Sequence, residues 1–204
     1  DYEKKFKSDE TNLSFCNAFI QNALRDPYTN EIGKTLVFCV SQKHAIKITT
    51  ILNELAEKYF PNKFQSDFAI QVTSNVTNPD PQQMTIDFKN NNLRGNSPIN
   101  ELYKTSKARV CVTVGMMTTG YDCKDLLNIC LFRPVFSPTE FIQMKGRGTR
   151  IFDFKECWKD KNQIPKTINS IKSSFKLFDY FKNYQYFEED FNYDEVLKLP
   201  AEGT

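Results

Sequence analysis

The stretch Thr35–Tyr59, TLVFCVSQKHAIKITTILNELAEKY, decides the fold. Its first six residues, Thr35–Val40, form a short unbroken apolar run. A strand reads that way when both of its faces are covered, as in a parallel sheet. Ser41 is placed to cap a helix. From Ala45 the apolar residues Ala45, Ile48, Leu52, Leu55 and Tyr59 recur at spacings of three and four. That pattern is one face of an amphipathic helix, closed by Pro61.

The same alternation continues outward. Ala69–Thr73 (AIQVT), Arg109–Val114 (RVCVTV), Asn128–Phe132 (NICLF) and Phe175–Tyr180 (FKLFDY) read as strands. Asp80-Pro81-Gln82-Gln83 gives an N-cap, a proline at the first helical position and a glutamine at the third, which is a helix start. Strands alternating with helices imply βαβ units, so the expected fold is α/β with a mostly parallel central sheet flanked by helices. The strand order is not readable. Leu13–Leu24 reads as helical, Asn90–Ser97 as a polar loop, and the lysine-rich stretch Lys155–Ser174, with Pro165, as a loop or linker. The aromatics Phe175, Phe178, Tyr180, Phe181, Tyr184, Tyr186, Phe187 and Phe191 are expected to pack on a core or neighbouring domain more readily than to stack on bases. The expected division is a helical lead-in over 1–32, a core over 33–154, and a linker with an aromatic-rich extension over 155–204.

Composition narrows the function classes. The 204 residues carry 27 basic and 25 acidic side chains, a net charge of +2. That balance does not announce nucleic-acid binding by itself, so any such contact must come from local groups. No run approaches the roughly 18 apolar residues of a membrane span. No apolar segment follows the first residues, so a signal peptide is not expected, and a start without Met is expected of a fragment. The six cysteines, at 16, 39, 111, 123, 130 and 157, include no C-x-x-C pair. Buried reduced thiols in a reducing cytoplasm are expected, with no metal site, since His44 is the sole histidine.

The chemistry concentrates in Ser137–Arg150, SPTEFIQMKGRGTR. Ser137 can cap, Pro138 suits the first helical position, and Glu140 can close a capping box. At about 100° per residue, Gln143, Arg147 and Arg150 fall on one face, provided a helix or tight turn persists through Gly146 and Gly148. Glycines there cost helix stability, but they let a backbone or phosphate approach closely. Arginine suits phosphate because its planar fork donates two parallel hydrogen bonds. The plain alternative is an arginine completing a helix C-terminus.

These residues carry a family resemblance. Gln143-x-x-Gly146-Arg147-x-x-Arg150 resembles motif VI of superfamily-two helicases. Val110–Asp122 (VCVTVGMMTTGYD) resembles motif V, and Lys34–Ser41 (KTLVFCVS) motif IV, in the order of the second RecA-like domain. More narrowly, TTGYDCKDLLNICLFRPVFSPTEFIQMKGRGTR resembles the motor (R) subunit of type I restriction enzymes, as does the tail around Phe178-Asp179-Tyr180. The resemblance implies that Arg147 and Arg150 meet ATP phosphates, one of them as an arginine finger, with Arg147 preferred. It implies that Gln143 orders the γ-phosphate or the attacking water, and that Gly120, Asp122 and Gly146 lie at the nucleotide edge of an inter-domain cleft. Asp122 would hold an arginine or meet the ribose; the plain alternative is an Asx-turn cap. Thr118 and Thr119 would donate to DNA phosphates, unless they serve only turn chemistry. Ser41, Lys43 and His44, at a helix N-terminus, are candidate phosphate contacts unless they form a solvated face. Thr73 is a weaker one.

ATP and Mg would be held mainly by an upstream RecA-like domain, because no G-x-x-x-x-G-K-[ST] loop and no magnesium-holding acidic motif occurs here. The implied partners are double-stranded DNA, ATP, that upstream domain in the same polypeptide, and the specificity and methylation subunits of a restriction complex; no membrane is implied. A repair or RNA helicase domain and a non-catalytic protein-interaction module are the competing readings. A Rossmann enzyme lacks its G-x-G-x-x-G.

Overall fold

The computed structural model describes residues 8–74, 79–97, 99–117, 121–166 and 168–190. In chain order the elements are α1 (Asp9–Asn22), β1 (Thr35–Cys39), α2 (Gln42–Tyr59), β2 (Ala69–Gln71), α3 (Pro81–Lys89), β3 (Val110–Thr113), β4 (Asn128–Phe132), α4 (Pro138–Gly146), β5 (Phe152–Asp153), β6 (Ile171–Lys172), β7 (Lys176–Asp179) and the short α5 (Asn183–Gln185). Five strands form one wholly parallel sheet in the order β2-β3-β1-β4-β7. β5 and β6 make a separate antiparallel pair. The α/β expectation with a parallel sheet holds.

β1 is central: Thr35 registers with Val110 on one side and Asn128 on the other. All five of its residues are buried, which is why its sequence is unbroken rather than alternating. Val37 and Cys39 face a layer containing Cys16, Phe19 and Ile20 of α1 and Ile48 and Leu52 of α2. Leu36 and Phe38 face the other layer, with Met84 and Phe88 of α3 and Phe141 and Met144 of α4. Each large apolar side chain buried this way contributes roughly 1.5–3 kcal/mol. Gly33, just before β1, sits where a Cβ would come within 2.5 Å of Leu127 Cδ1 and 2.9 Å of the Leu24 carbonyl oxygen, so no side chain fits.

The flanks are built into this body. Phe178 of β7 joins the α1–α2 layer, and Phe15 of α1 stacks on Tyr180 at 4.1 Å. The stretch expected to be a loop or linker, 155–174, instead packs Cys157 and Trp158 against Tyr103, Leu127 and Phe154. Its two 3₁₀ turns, Phe154–Cys157 and Lys161–Gln163, are capped by Asp153 and Asp160. Such short capped turns carry no hydrophobic period, so periodicity could not show them. Tyr28, Tyr103 and Trp158 pack edge-on or tilted, with centroids 5.3–5.4 Å apart.

All six cysteines are free and buried, as expected. Burial pushes the Cys123 and Cys157 thiols up to about 12. Among the described residues, no helix is long and apolar enough to cross a membrane.

Candidate functional site

The site begins with the cap of α4. Ser137 Oγ accepts from the Glu140 amide at 3.4 Å, and Pro138 opens the helix. The helix proper ends at Gly146, where the backbone tightens rather than unwinds. Arg147, Gly148 and Thr149 donate their amides to the carbonyls of Met144, Lys145 and Gly146, three residues back, at 3.2, 3.1 and 3.4 Å. Three residues per turn keeps Arg147 and Arg150 on one side. The nine-residue helix is about 13 Å long and packs Phe141 and Met144 into the layer that covers Leu36 and Phe38 of β1.

The two arginines are held differently. Arg147 is half-buried; its Nε donates to the Gln143 carbonyl at 3.0 Å and its Nη1 to the Tyr121 carbonyl at 2.5 Å. It therefore ties the segment before Cys123 to the end of α4. Arg150 is 63% exposed, with its Nε 3.2 Å from Asp122 Oδ1. That contact is an ion pair by distance only, since Oδ1 is buried and makes no aligned hydrogen bond. Gln143 is half-buried on the same helix. A Cβ built on Gly146 meets nothing within 4 Å, so an incoming group has room there. Gly120 lies outside the described residues.

A nucleotide's phosphates suit this arrangement in part. An exposed guanidinium, a second one tied to the Gln143 and Tyr121 carbonyls, and an open glycine can meet an anion, while the Asp122 carboxylate pairs with Arg150 and would not itself bind phosphate. Among the described residues, no group of three or more His, Cys, Asp or Glu side chains is gathered to hold a metal.

The nucleic-acid candidates lie elsewhere, at the carboxyl edge of the sheet. Ser41 caps α2, its Oγ accepting from the His44 amide at 3.2 Å, which leaves the hydroxyl proton free to donate. Lys43 is exposed beside it. Thr73 is buried, and its hydroxyl accepts from Gln71 at 3.0 Å. It borders a cavity of about 320 Å³ lined by Gln42, Thr73, Ser74, Val114, Gly115 and Met116, between the ends of β2 and β3. Thr118 and Thr119 lie outside the described residues. His44 departs from the expectation. It is 8% exposed, with Nδ1 facing the Val40 amide at 3.4 Å and Nε2 facing Asn12 Oδ1 at 3.2 Å. Burial, then the Lys47 charge, pulls its pKa down to about 4, so the ring is neutral and turned inward. It joins α1 to α2 and has no nitrogen for a phosphate.

Three features escaped the sequence reading. Lys34 Nζ and Asp125 Oδ1 form a fully buried ion pair at 2.9 Å, with Asn91 3.0 Å from the same ammonium. Asn183 accepts from the Val135 amide at 2.8 Å and donates to the Arg133 carbonyl at 3.1 Å, while Asp179 accepts from Asn183 at 2.9 Å. That relay gives the Phe178-Asp179-Tyr180 tail a reason: it fixes the loop entering α4. Phe175 packs directly on Gly148. Apart from the Asp179–Asn183 bond, these contacts join residues more than 25 positions apart, and no local pattern reports such pairs.

No family model matches the chain. It is 30% identical over 179 residues, 88% of its length, to the type I restriction enzyme EcoKI endonuclease subunit of Escherichia coli K12. It spans 13% of the length of that relative. Among solved structures it is similar to a fragment described as the HsdR subunit of a type I restriction enzyme from Vibrio vulnificus, with a TM-score of 0.59 at 26% identity, covering 92% of this chain and 30% of that one. A DEAD box protein from Methanococcus jannaschii matches with a TM-score of 0.50 at 13% identity, over 89% of this chain and 37% of that one, which shows the shared RecA-like fold alone.

Proposed function

We propose that this chain, homologous to the endonuclease subunit of type I restriction enzymes, is the second RecA-like domain of an ATP-driven double-stranded DNA translocase serving restriction. The observation that carries the reading is the joining of Arg147, Arg150 and Asp122 into one cluster on an RecA-like sheet. The proposed unit is the 33–154 core together with both flanks, which share its hydrophobic layers.

When bound, ATP supplies the phosphoryl group whose transfer to water drives movement. Arg150, exposed and held only by a loose ion pair, is free to reach phosphate charge presented by the upstream domain. Arg147, committed to two backbone carbonyls, aims the turn that carries it. This reverses the preference for Arg147 as the finger, because a guanidinium bound on two sides cannot extend without losing both bonds. Gln143 would order the phosphate or the water, Asp122 would return Arg150 to its resting position, and Gly146 with Gly120 would leave room for the nucleotide. Mg would be held with the phosphate loop of the upstream domain. Ser41 and Lys43, with Thr118 and Thr119, would contact DNA phosphates, so binding would be insensitive to sequence, whereas the Thr73 hydroxyl is buried and bonded to Gln71 and does not suit that role. Specificity and methylation subunits would select the target. The six free thiols suit a reducing cytoplasm.

The test is steady-state phosphate release by the complete polypeptide with Mg and duplex DNA. Arg150→Ala is expected to lower turnover by about 10³- to 10⁵-fold. This chain by itself is expected to release none, because positioning of the β- and γ-phosphates and the metal must coincide with the arginine. Normal turnover in both Arg147→Ala and Arg150→Ala would refute the reading.

A further inference from the structure

We infer that Phe175 is a positioning residue for the Arg147–Arg150 turn, acting through Gly148; the inference rests on the proposed ATP role of that turn. A Cβ placed on Gly148 would fall 2.4 Å from Phe175 Cγ and Cδ2 and 2.9 Å from Cδ1. The ring therefore fills the space a side chain would take at Gly148, between the two arginines, so no methyl group fits there. Phe175 is half-buried against the layer that holds Phe141 and Met144 of α4.

Its own place is fixed from the chain. Lys176, the next residue, donates its amide to the Leu127 carbonyl at 2.9 Å and registers with Asn128 of β4. The ring thus cannot slide along the sheet without breaking β7. The same extension holds α4 elsewhere: Asn183 binds the backbone of Arg133 and Val135 ahead of it, Phe187 stacks on Phe141 at 5.1 Å, and Glu188 pairs with Lys145. Past Gly146 the backbone of the turn is held by three short-range amide bonds at 3.1–3.4 Å, with Thr149 Oγ1 donating to the Gly146 carbonyl at 2.9 Å, and its side chains reach out through Arg147 to Tyr121 and Arg150 to Asp122; the Phe175 ring supports it at Gly148. Removing the ring opens a space into which the turn can relax. A shift of about 1 Å in a catalytic group can cost about a hundredfold in rate.

The experiment uses the complete polypeptide with Mg and duplex DNA, reading kcat and KM for ATP beside thermal unfolding. Phe175→Ala is expected to lower kcat about ten- to hundredfold with KM changed by less than about threefold, whereas Phe175→Tyr, which keeps the ring, stays near wild type. Because the effect passes through the arginine, Phe175→Ala should cost nothing further in an Arg150→Ala background. If Phe175→Ala does not fold, Phe175→Leu carries the same comparisons. Unchanged kcat in the Phe175 variant beside an inactive Arg150→Ala overturns the inference while sparing the ATP reading. An equal further loss in the Arg150→Ala background also overturns it, by showing a merely structural role. Full turnover in both arginine variants removes the ATP reading and this inference with it.

Discussion

Arg150 Nε lies 3.2 Å from Asp122 Oδ1, an oxygen that is buried yet makes no aligned hydrogen bond. The two side chains are 63% and 36% exposed, so the pair is worth roughly 0–1 kcal/mol to the fold. Asp122→Asn should therefore leave the urea midpoint of the chain nearly unchanged, while ATP turnover in the complete polypeptide falls. A loss of several kcal/mol in stability would instead make Asp122 a structural residue and remove it from the site.

Arg147 is expected to resist conservative exchange. Its Nε and Nη1 reach two carbonyls that belong to different segments, Gln143 and Tyr121. A lysine ammonium is a point donor on a flexible stem and does not reproduce that fork. Arg147→Lys should lower DNA-stimulated turnover nearly as far as Arg147→Ala, despite keeping the charge. Turnover close to wild type in the lysine variant would show that charge alone matters at this position.

The buried Lys34–Asp125 pair should dominate stability at the amino end of β1. Burial lowers the Lys34 pKa, but Asp125 beside it wins and leaves it raised; burial raises that of Asp125, but Lys34, with Cys123 also bonded, leaves it lowered. Asp125→Ala leaves an ammonium buried and unpaired, at a cost of about 3–5 kcal/mol. The double variant Lys34→Met/Asp125→Leu, which removes both charges, should cost much less. The sign in pH follows from the directions. The Asp125 contribution is complete above its usual 3.8 and is lost as pH falls through a folded value below that. The Lys34 contribution is complete below 10.5 and is lost as pH rises through a folded value above that. Between those limits the pair's contribution should be flat, and urea titrations of wild type against the double variant would reveal any slope.

The parts of the fold legible in the sequence are those whose burial is local. β1 and β4 announce themselves because every residue in each is buried. α3 and α4 announce themselves because Asp80 and Ser137 are followed by proline and a capping partner. The arginine face was readable because three-residue spacing survives the change from helix to tight turn. His44 was misread because its position at a helix start matches an anion site, whereas its burial depends on Asn12, 32 positions away. Trp158 was lost in a lysine-rich stretch for the same reason, since its partners Tyr28 and Tyr103 lie far off in the chain.

His44 gives a pH signature of its own. Its folded pKa, about 4, lies below the ordinary 6.5, because burial and then Lys47 disfavour the charged ring. The unfolded chain therefore binds the proton more readily between those values. Stability from this group is complete above pH 6.5 and falls by up to about 3 kcal/mol as pH drops toward 4. His44→Gln should flatten that part of the stability profile, measured by urea midpoints across it. An unchanged slope would place the titration elsewhere.

The nucleic-acid edge makes a prediction in salt. Lys43 is exposed at the N-terminus of α2, beside the Ser41 hydroxyl, whereas His44 is closed off beneath them. A lysine that neutralises one phosphate releases about one counterion. The slope of log affinity against log salt should therefore become shallower by about 0.9 in Lys43→Ala, with affinity falling alike for unrelated duplexes. His44→Gln should leave both slope and affinity unchanged at neutral pH, because its ring carries no charge there and faces Asn12. Fluorescence anisotropy on two duplexes of different sequence, across a salt series in the complete polypeptide, separates the cases. An unchanged slope in Lys43→Ala would remove the start of α2 from the DNA track.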